Sequence, residues 1–299
     1  MKVKKYFLNV KENLKIPVIE IGSFFGGFGC VVCQLHGDEY SAVKIAYTIN
    51  DQLTRTKQGK SLGLRIILCA NPNGSRLGIK EYPDKSMNLN RMFQKKYFSD
   101  KLVSGIIKLI TNSSFCIDVH DMPGSDLPAC SILTKTQRPE VESLSYDLIS
   151  AFGPDLYWEE DFSDPTIGQR YAGTINSFLN SVGIPNFTIE TSPINLISDK
   201  TILSVSKKII ALLTPTKKPV FKPKLVKRIE IASRESGIFL PNDLKLLQSI
   251  KRDEPVGKLL NLTGRIKQIY SPSSGLLIRL ASRGFIKEKQ KLFDLGKRL

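Results

Sequence analysis

The chain has 299 residues, 41% hydrophobic and 24% charged, the composition of a soluble globular protein large enough for one α/β unit or a unit with an appendage. No run of 18 apolar residues is present, which excludes a membrane-spanning helix. The net charge is +16; from Pro215 onward 20 Lys and Arg face 7 Asp and Glu, which leaves about +3 for the rest. A basic end of this kind is a lysine-rich solvated surface, and without an arginine-rich tract or basic–aromatic alternation nothing marks it as a nucleic-acid module.

In chain order, "KYFLNV" and "IPVIEIGS" read as two short strands, and "CVVCQL" as a third. The helix "YSAVKIAYTINDQLTR" follows, with Val43, Ala46, Tyr47, Ile49 and Leu53 at helical spacing. "LRIILCANPNG" is a strand closed by a Pro/Gly turn, and "SRLGIKEYPDKSMNLNRMFQ" a loop. "SDKLVSGIIKLI" is a helix with a Ser cap; "FCIDVHD" and "ACSILT" are strands. Helices over "EVESLSYDLISAF" and "GQRYAGTINSFLNSVG", the latter stopped by Gly183, precede the strand "IPNFTIETS" and a last helix, "KTILSVSKKIIALL". The alternation predicts an α/β unit with a parallel or mixed sheet. The Pro- and Lys-rich "TPTKKPVFKPKLVK" reads as a linker. "KRIEIAS", "SGIFLP", "PVGKLLNL", "RIKQIYS" and "GLLIRLA" then predict a small all-β domain, giving a division into residues 1–214 and 215–299.

The five cysteines, Cys30, Cys33, Cys69, Cys116 and Cys130, are odd in number and follow no signal peptide, so reduced thiols in a cytoplasmic protein are expected. Cys30 and Cys33 form a C-x-x-C inside an apolar strand, with no second pair to complete a four-thiolate site, and are read as core.

Histidine is the informative residue because there are only two. His36 ends one predicted strand, with Glu39 three residues on; His120 ends another. Taken singly, a turn histidine and a core histidine are the ordinary readings. Together, two histidines and a glutamate form the ligand set of a catalytic zinc site, and strand ends are where open α/β sheets carry their sites. Asp118, two residues before His120 and on the same side of the strand, is placed to accept an imidazole N–H.

"HGDE", "NPNG", "NLNRMF", "DVH" and "GIPNFTIET", in this order over roughly residues 15–215, resemble the succinylglutamate desuccinylase/aspartoacylase family of zinc carboxypeptidase-like hydrolases. "ESGIFLP" and "IYSPSSGLLIRLA" look like that family's small C-terminal β domain. The resemblance implies a zinc-carboxypeptidase-like mixed sheet flanked by helices, with an all-β, barrel-sandwich-like C-terminal domain. It implies one zinc per chain on His36, Glu39 and His120, an Asn90–Arg91 pair holding a substrate carboxylate, and Glu190 as the catalytic glutamate. That chemistry suits the residue types: zinc polarises a carbonyl, a glutamate moves protons, and a guanidinium grips a carboxylate through paired bonds. Arg76 or Lys80, and Arg170, are candidates for a second cation on an anionic small-molecule substrate. The chain departs from the family at Asn88, where an Asp is usual, which is expected to alter the network around Arg91, and in "IET", where Glu-Gly is usual. The expected activity is hydrolysis of the amide bond of an N-acyl amino acid or related small carboxylate. The alternatives are a metallocarboxypeptidase on short peptides, or a non-catalytic protein binding an acidic partner or nucleic acid through its basic end. Ligand types alone leave another divalent metal open, and the sequence leaves the oligomeric state open, a homo-oligomer included.

Overall fold

The computed structural model describes residues 2–55, 62–136, 138–161, 164, 168–169, 171–214 and 224–298. Among the described residues before Pro215 there are nine strands: β1 (Val3–Lys11), β2 (Leu14–Ile21), β3 (Phe28–Cys33), β4 (Gly63–Ile67), β5 (Phe115–Asp121), β6 (Ser125–Asp126), β7 (Cys130–Lys135), β8 (Tyr157–Asp161) and β9 (Asn186–Thr191). All but β6 form one eight-stranded sheet, in the order β1-β2-β4-β3-β5-β9-β7-β8. Its centre, β4-β3-β5-β9, is parallel, while β1, β2 and the β7–β9 pair are antiparallel.

Helices cover both faces. α1 (Ser41–Arg55), α4 (Pro139–Phe152) and α6 (Asp199–Ala211) bury Ile45, Ile49, Ile149, Ile202 and Val205 on one side. α3 (Lys101–Ile110) and α5 (Ile175–Ser181) bury Leu102, Ile106, Phe178 and Leu179 on the other. Strand alternation feeds both layers: in β3, Cys30 and Val32 face one core and Val31 and Cys33 the opposite one. The C-x-x-C is thus core, as its apolar context predicts.

Several expectations are corrected. In α1 the buried stripe is Ala42, Ile45, Ala46, Ile49 and Leu53; Val43 is half-buried and Tyr47 exposed, because they lie about 100° and about 140° round the helix from the centre of that stripe. The "NPNG" turn opens a short helix, α2 (Pro72–Leu77), with Pro at its first position and Asn71 Oδ1 accepting Gly74 N–H at 3.0 Å. The cap of α3 is Asp100, not the serine before it; its carboxylate accepts from Leu102 and Val103. The helix expected over "GQRYAGTINSFLNSVG" is interrupted: Gly173 has φ +77°, and Thr174 caps a new start by accepting Ser177 N–H at 3.2 Å. Strand β8 escaped prediction because "YWEED" has neither alternation nor an apolar run.

The C-terminal region contains β10 (Val226–Ala232), β11 (Gly237–Pro241), β12 (Ser249–Ile250), β13 (Pro255–Asn261), β14 (Ile266–Tyr270), β15 (Gly275–Ala281), β16 (Gly284–Ile286) and β17 (Lys291–Arg298). It forms two antiparallel sheets, β10-β17-β15-β12 and β14-β13-β11-β16, around Phe239, Val256, Leu277 and Phe293. β6, just after His120, pairs with β15 and joins this region to the main sheet. Strands β12, β16 and β17 were not predicted. Most of the predicted linker, residues 215–223, lies outside the described residues. Among the described residues no helix is long and apolar enough to cross a membrane.

Candidate active site

His36 leaves β3 on a left-handed residue, Gln34, at φ +53°. Gln34 Nε2 donates to Gly37 O at 3.2 Å, and Ala70 and Asn71 amides donate to Cys33 and Gln34 carbonyls. Gly37 is required because a Cβ there would come within 2.1 Å of the Gly74 backbone in α2. The turn is therefore clamped between α2 and the start of α1. Asp121, next to His120, locks the other side: its Oδ2 accepts the Ser41 amide at 2.9 Å and the Ser41 hydroxyl at 2.6 Å, at the first turn of α1. These contacts set the His36–Glu39 turn against the end of β5.

His36, Glu39 and His120 are all buried, and their donor atoms lie within 4.8 Å of one another. Glu39 sits between the two rings, Oε1 at 2.6 Å from His36 Nδ1 and Oε2 at 2.6 Å from His120 Nδ1. The opposite nitrogens also face acceptors: His120 Nε2 lies 2.7 Å from Asp118 Oδ2, and His36 Nε2 lies 3.1 Å from Asn88 Oδ1. Each Nε2 must then carry the hydrogen. Two Nδ1 lone pairs pointed at a carboxylate are repulsive unless each ring takes a second proton or a cation occupies the point of convergence. This donor set, two imidazole nitrogens and a carboxylate, fits a zinc-type divalent metal. Burial alone would raise Glu39, but the two imidazoles hold it down, to about 2. Burial opposes charge on His120, yet Asp118 and Glu39 raise its pKa well above the ordinary imidazole value.

Glu190 lies directly beside His120, the two being register partners on the parallel strands β9 and β5. Burial lifts its pKa to about 7; His120 pulls it down, Glu39 pushes it up, and Arg228 and Asp118 follow with smaller effects in the same two senses. Asn90 and Arg91 sit on a 3-10 turn, Leu89–Arg91, started by Asn88, whose Oδ1 accepts the Asn90 amide at 2.8 Å. Asn90 Oδ1 accepts Ile175 N–H at 2.8 Å, so the side chain is fixed with its Nδ2 3.4 Å from His120 Nε2. Arg91 donates Nη1 to Asn90 O and lies over the Tyr171 ring at 5.4 Å. Gly173 seats this turn, since a Cβ there would fall 2.3 Å from Arg91 O.

A cleft of about 210 Å³ joins these groups: His36, His120, Asn90, Arg91 and Glu190 all line it. Of the candidate second cations, Lys80 lines the cleft. Arg76 is exposed on α2 and is not among the lining residues; Arg170 lies outside the described residues. The cations that the sequence did not suggest are Arg228 of β10 and Lys291 of β17, both in the cleft wall. Both are paired: Arg228 Nε donates to Asp294 Oδ2 at 2.9 Å, and Lys291 pairs with Glu230. No local signal marks them, because the wall is assembled from strands far apart in sequence. Asn88, expected to alter the network around Arg91, accepts the Arg91 amide on its carbonyl at 3.0 Å and also meets His36 with its side chain. The H-x-x-E turn brings His36 Nε2 back over the 3-10 turn, which is a tertiary contact that spacing does not show.

Residues 30–214 match the family model described as the succinylglutamate desuccinylase/aspartoacylase catalytic domain. A search of curated proteins gives no match. Among solved structures, the product-bound ectoine utilization protein EutE (DoeB) from Ruegeria pomeroyi superposes with a TM-score of 0.81 at 17% identity, covering 98% of this chain and 95% of that one. A succinylglutamate desuccinylase from a Silicibacter species gives 0.80 at 16% identity, over 99% and 95%. An aspartoacylase family protein from Mesorhizobium loti gives 0.79 at 18%, also over 99% and 95%. At these identities the likeness shows the fold, and it extends through the C-terminal sheets.

Proposed function

We propose that this chain, which belongs to the succinylglutamate desuccinylase/aspartoacylase family, hydrolyses the amide bond of an N-acyl amino acid or a related small carboxylate, using zinc held by His36, Glu39 and His120. The family is one of desuccinylase- and aspartoacylase-like hydrolases. The observation that carries the reading is the convergence of His36 Nδ1, His120 Nδ1 and the Glu39 carboxylate beside Glu190. The chemistry zinc supplies in such a site is Lewis acidity, which polarises a carbonyl oxygen and acidifies water toward neutral pH. Glu190, half-buried and lifted to about 7 by desolvation, is suited to take a proton from the attacking water and return it to the leaving amine. Asp118 orients His120 through Nε2. Asn90 Nδ2 faces another donor, the His120 Nε2–H, and so keeps its hydrogens for a substrate oxygen. Arg91 next to it supplies the charge for a carboxylate. The cleft's size, about 210 Å³, suits a small acyl amino acid, below the usual range for drug-sized ligands. Five unpaired cysteines support a reducing, cytoplasmic setting.

The second reading, a carboxypeptidase acting on short peptides, is favoured by one feature. An adjoining cleft of about 470 Å³ shares Glu160, Tyr171 and Arg228 with the first and offers room for a longer chain. The test begins with elemental analysis of untagged protein, against a His36→Ala, His120→Ala variant. About one zinc per chain, absent from the variant, is expected; turnover of N-acyl amino acids but not of short peptides then separates the two readings. No stoichiometric metal after zinc is supplied would sink the hydrolase and leave a binding protein on a hydrolase fold.

A further inference from the structure

The two imidazoles of the centre are supported unequally. His120 gives its Nε2–H to an ionisable carboxylate, Asp118, at 2.7 Å, whereas His36 gives its Nε2–H to a neutral amide oxygen, Asn88 Oδ1, at 3.1 Å. That oxygen is also shared, since it accepts the Asn90 amide at 2.8 Å. An imidazole becomes more positive when its Nδ1 lone pair is given to a cation. An anion hydrogen-bonded to the far N–H stabilises that charge; a neutral, shared carbonyl oxygen does so much less.

The local turn does not demand the amide. Asn88 starts the 3-10 turn that carries Asn90 and Arg91 with one side-chain oxygen, and an aspartate would accept the Asn90 N–H equally well. The difference between amide and carboxylate at this position is therefore felt mainly by His36. We propose that Asn88 is a positioning residue that makes His36 the weaker of the two imidazole ligands, so that the chain holds a divalent cation less tightly, and releases it faster, than it would with a carboxylate there. The proposal rests on the reading of His36, Glu39 and His120 as metal ligands.

The experiment uses the full chain, stripped of metal and titrated with zinc against a chromophoric chelator near neutral pH, with the rate of zinc loss to excess chelator as a second readout. Asn88→Asp is expected to tighten zinc by about 10-fold or more and to slow its loss, and Asp118→Asn to weaken binding by a similar factor. A merely structural role for Asn88 would move the melting temperature of the metal-free protein and leave zinc affinity alone. Unchanged or weaker affinity in Asn88→Asp, with stoichiometric zinc in the unaltered chain, overturns the inference and spares the metal reading. No zinc in any of the three proteins overturns both. Should Asn88→Asp fail to fold, Asp118→Asn decides: affinity equal to the unaltered chain's would mean that the acceptor on an imidazole does not set its strength as a ligand here.

Discussion

The eight-stranded sheet and the C-terminal sheets solve different problems. The central strands β3, β5 and β9 are buried on both faces and end together, so three chain segments deliver His36, His120 and Glu190 to one edge. Of the C-terminal sheets, β14-β13-β11-β16 leaves large apolar side chains such as Ile238, Ile266 and Phe285 exposed, whereas β15 is buried on both faces, Leu277 in the C-terminal core and Ile278 beside Leu127 and Trp158. Their contact with the cleft runs through a polar hub: buried Asp294 is held by Arg228 and, through two bonds of 2.9 Å, by Arg279, whose Nη1 also reaches Ser125 Oγ at 3.0 Å in β6. One region concentrates the candidate chemistry, while the other shapes the cleft wall with charges that are already paired.

Three measurements on two variants test that contrast. The largest effect belongs to the first region: Glu190→Gln should lower kcat by about 10²–10⁴-fold with zinc content intact, measured on whichever N-acyl amino acid is turned over. A variant that keeps its kcat would remove Glu190 from the chemistry. In the second region the damage should be to stability. Asp294→Ala leaves Arg228 and Arg279 buried without their carboxylate, and a loss of roughly 3–5 kcal/mol is expected in denaturant unfolding; a loss below about 1 kcal/mol would mean the hub is not what joins the sheets. The smallest effect concerns pH. Burial raises Glu190 to about 7. Between its unfolded value, near 4.5, and about 7, the folded metal-free chain binds the proton and the unfolded chain does not, so stability falls as pH rises through that window. Glu190→Gln should therefore stabilise the metal-free protein at pH 8 by up to about 3 kcal/mol relative to its effect at pH 4. A variant whose melting shift is the same at both pH values would contradict the raised pKa.

Short-range patterns made much of this legible. β5 matches its predicted bounds, Phe115–Asp121, because an apolar run between turn signals depends on neighbours only. The H-x-x-E spacing and the scarcity of histidine pointed to the three candidate ligands, whose donor atoms the fold brings within 4.8 Å of one another. Where the reading failed, the missing information was distant. Thr174 rather than the preceding "GQRYAG" starts a helix because Gly173 must pass close to Arg91 O.

Local composition and periodicity by themselves determined the α/β core, the C-terminal β region and the candidate donors, because hydrophobic period and residue chemistry act over a few residues. The tertiary structure alone brings the Asn88 side chain to His36 and sets Arg228 and Lys291 in the cleft wall, with Arg76 exposed on α2. Those outcomes depend on strand pairing and loop packing between segments far apart in sequence, such as β17 against β10 and β15, and no local pattern carries that information.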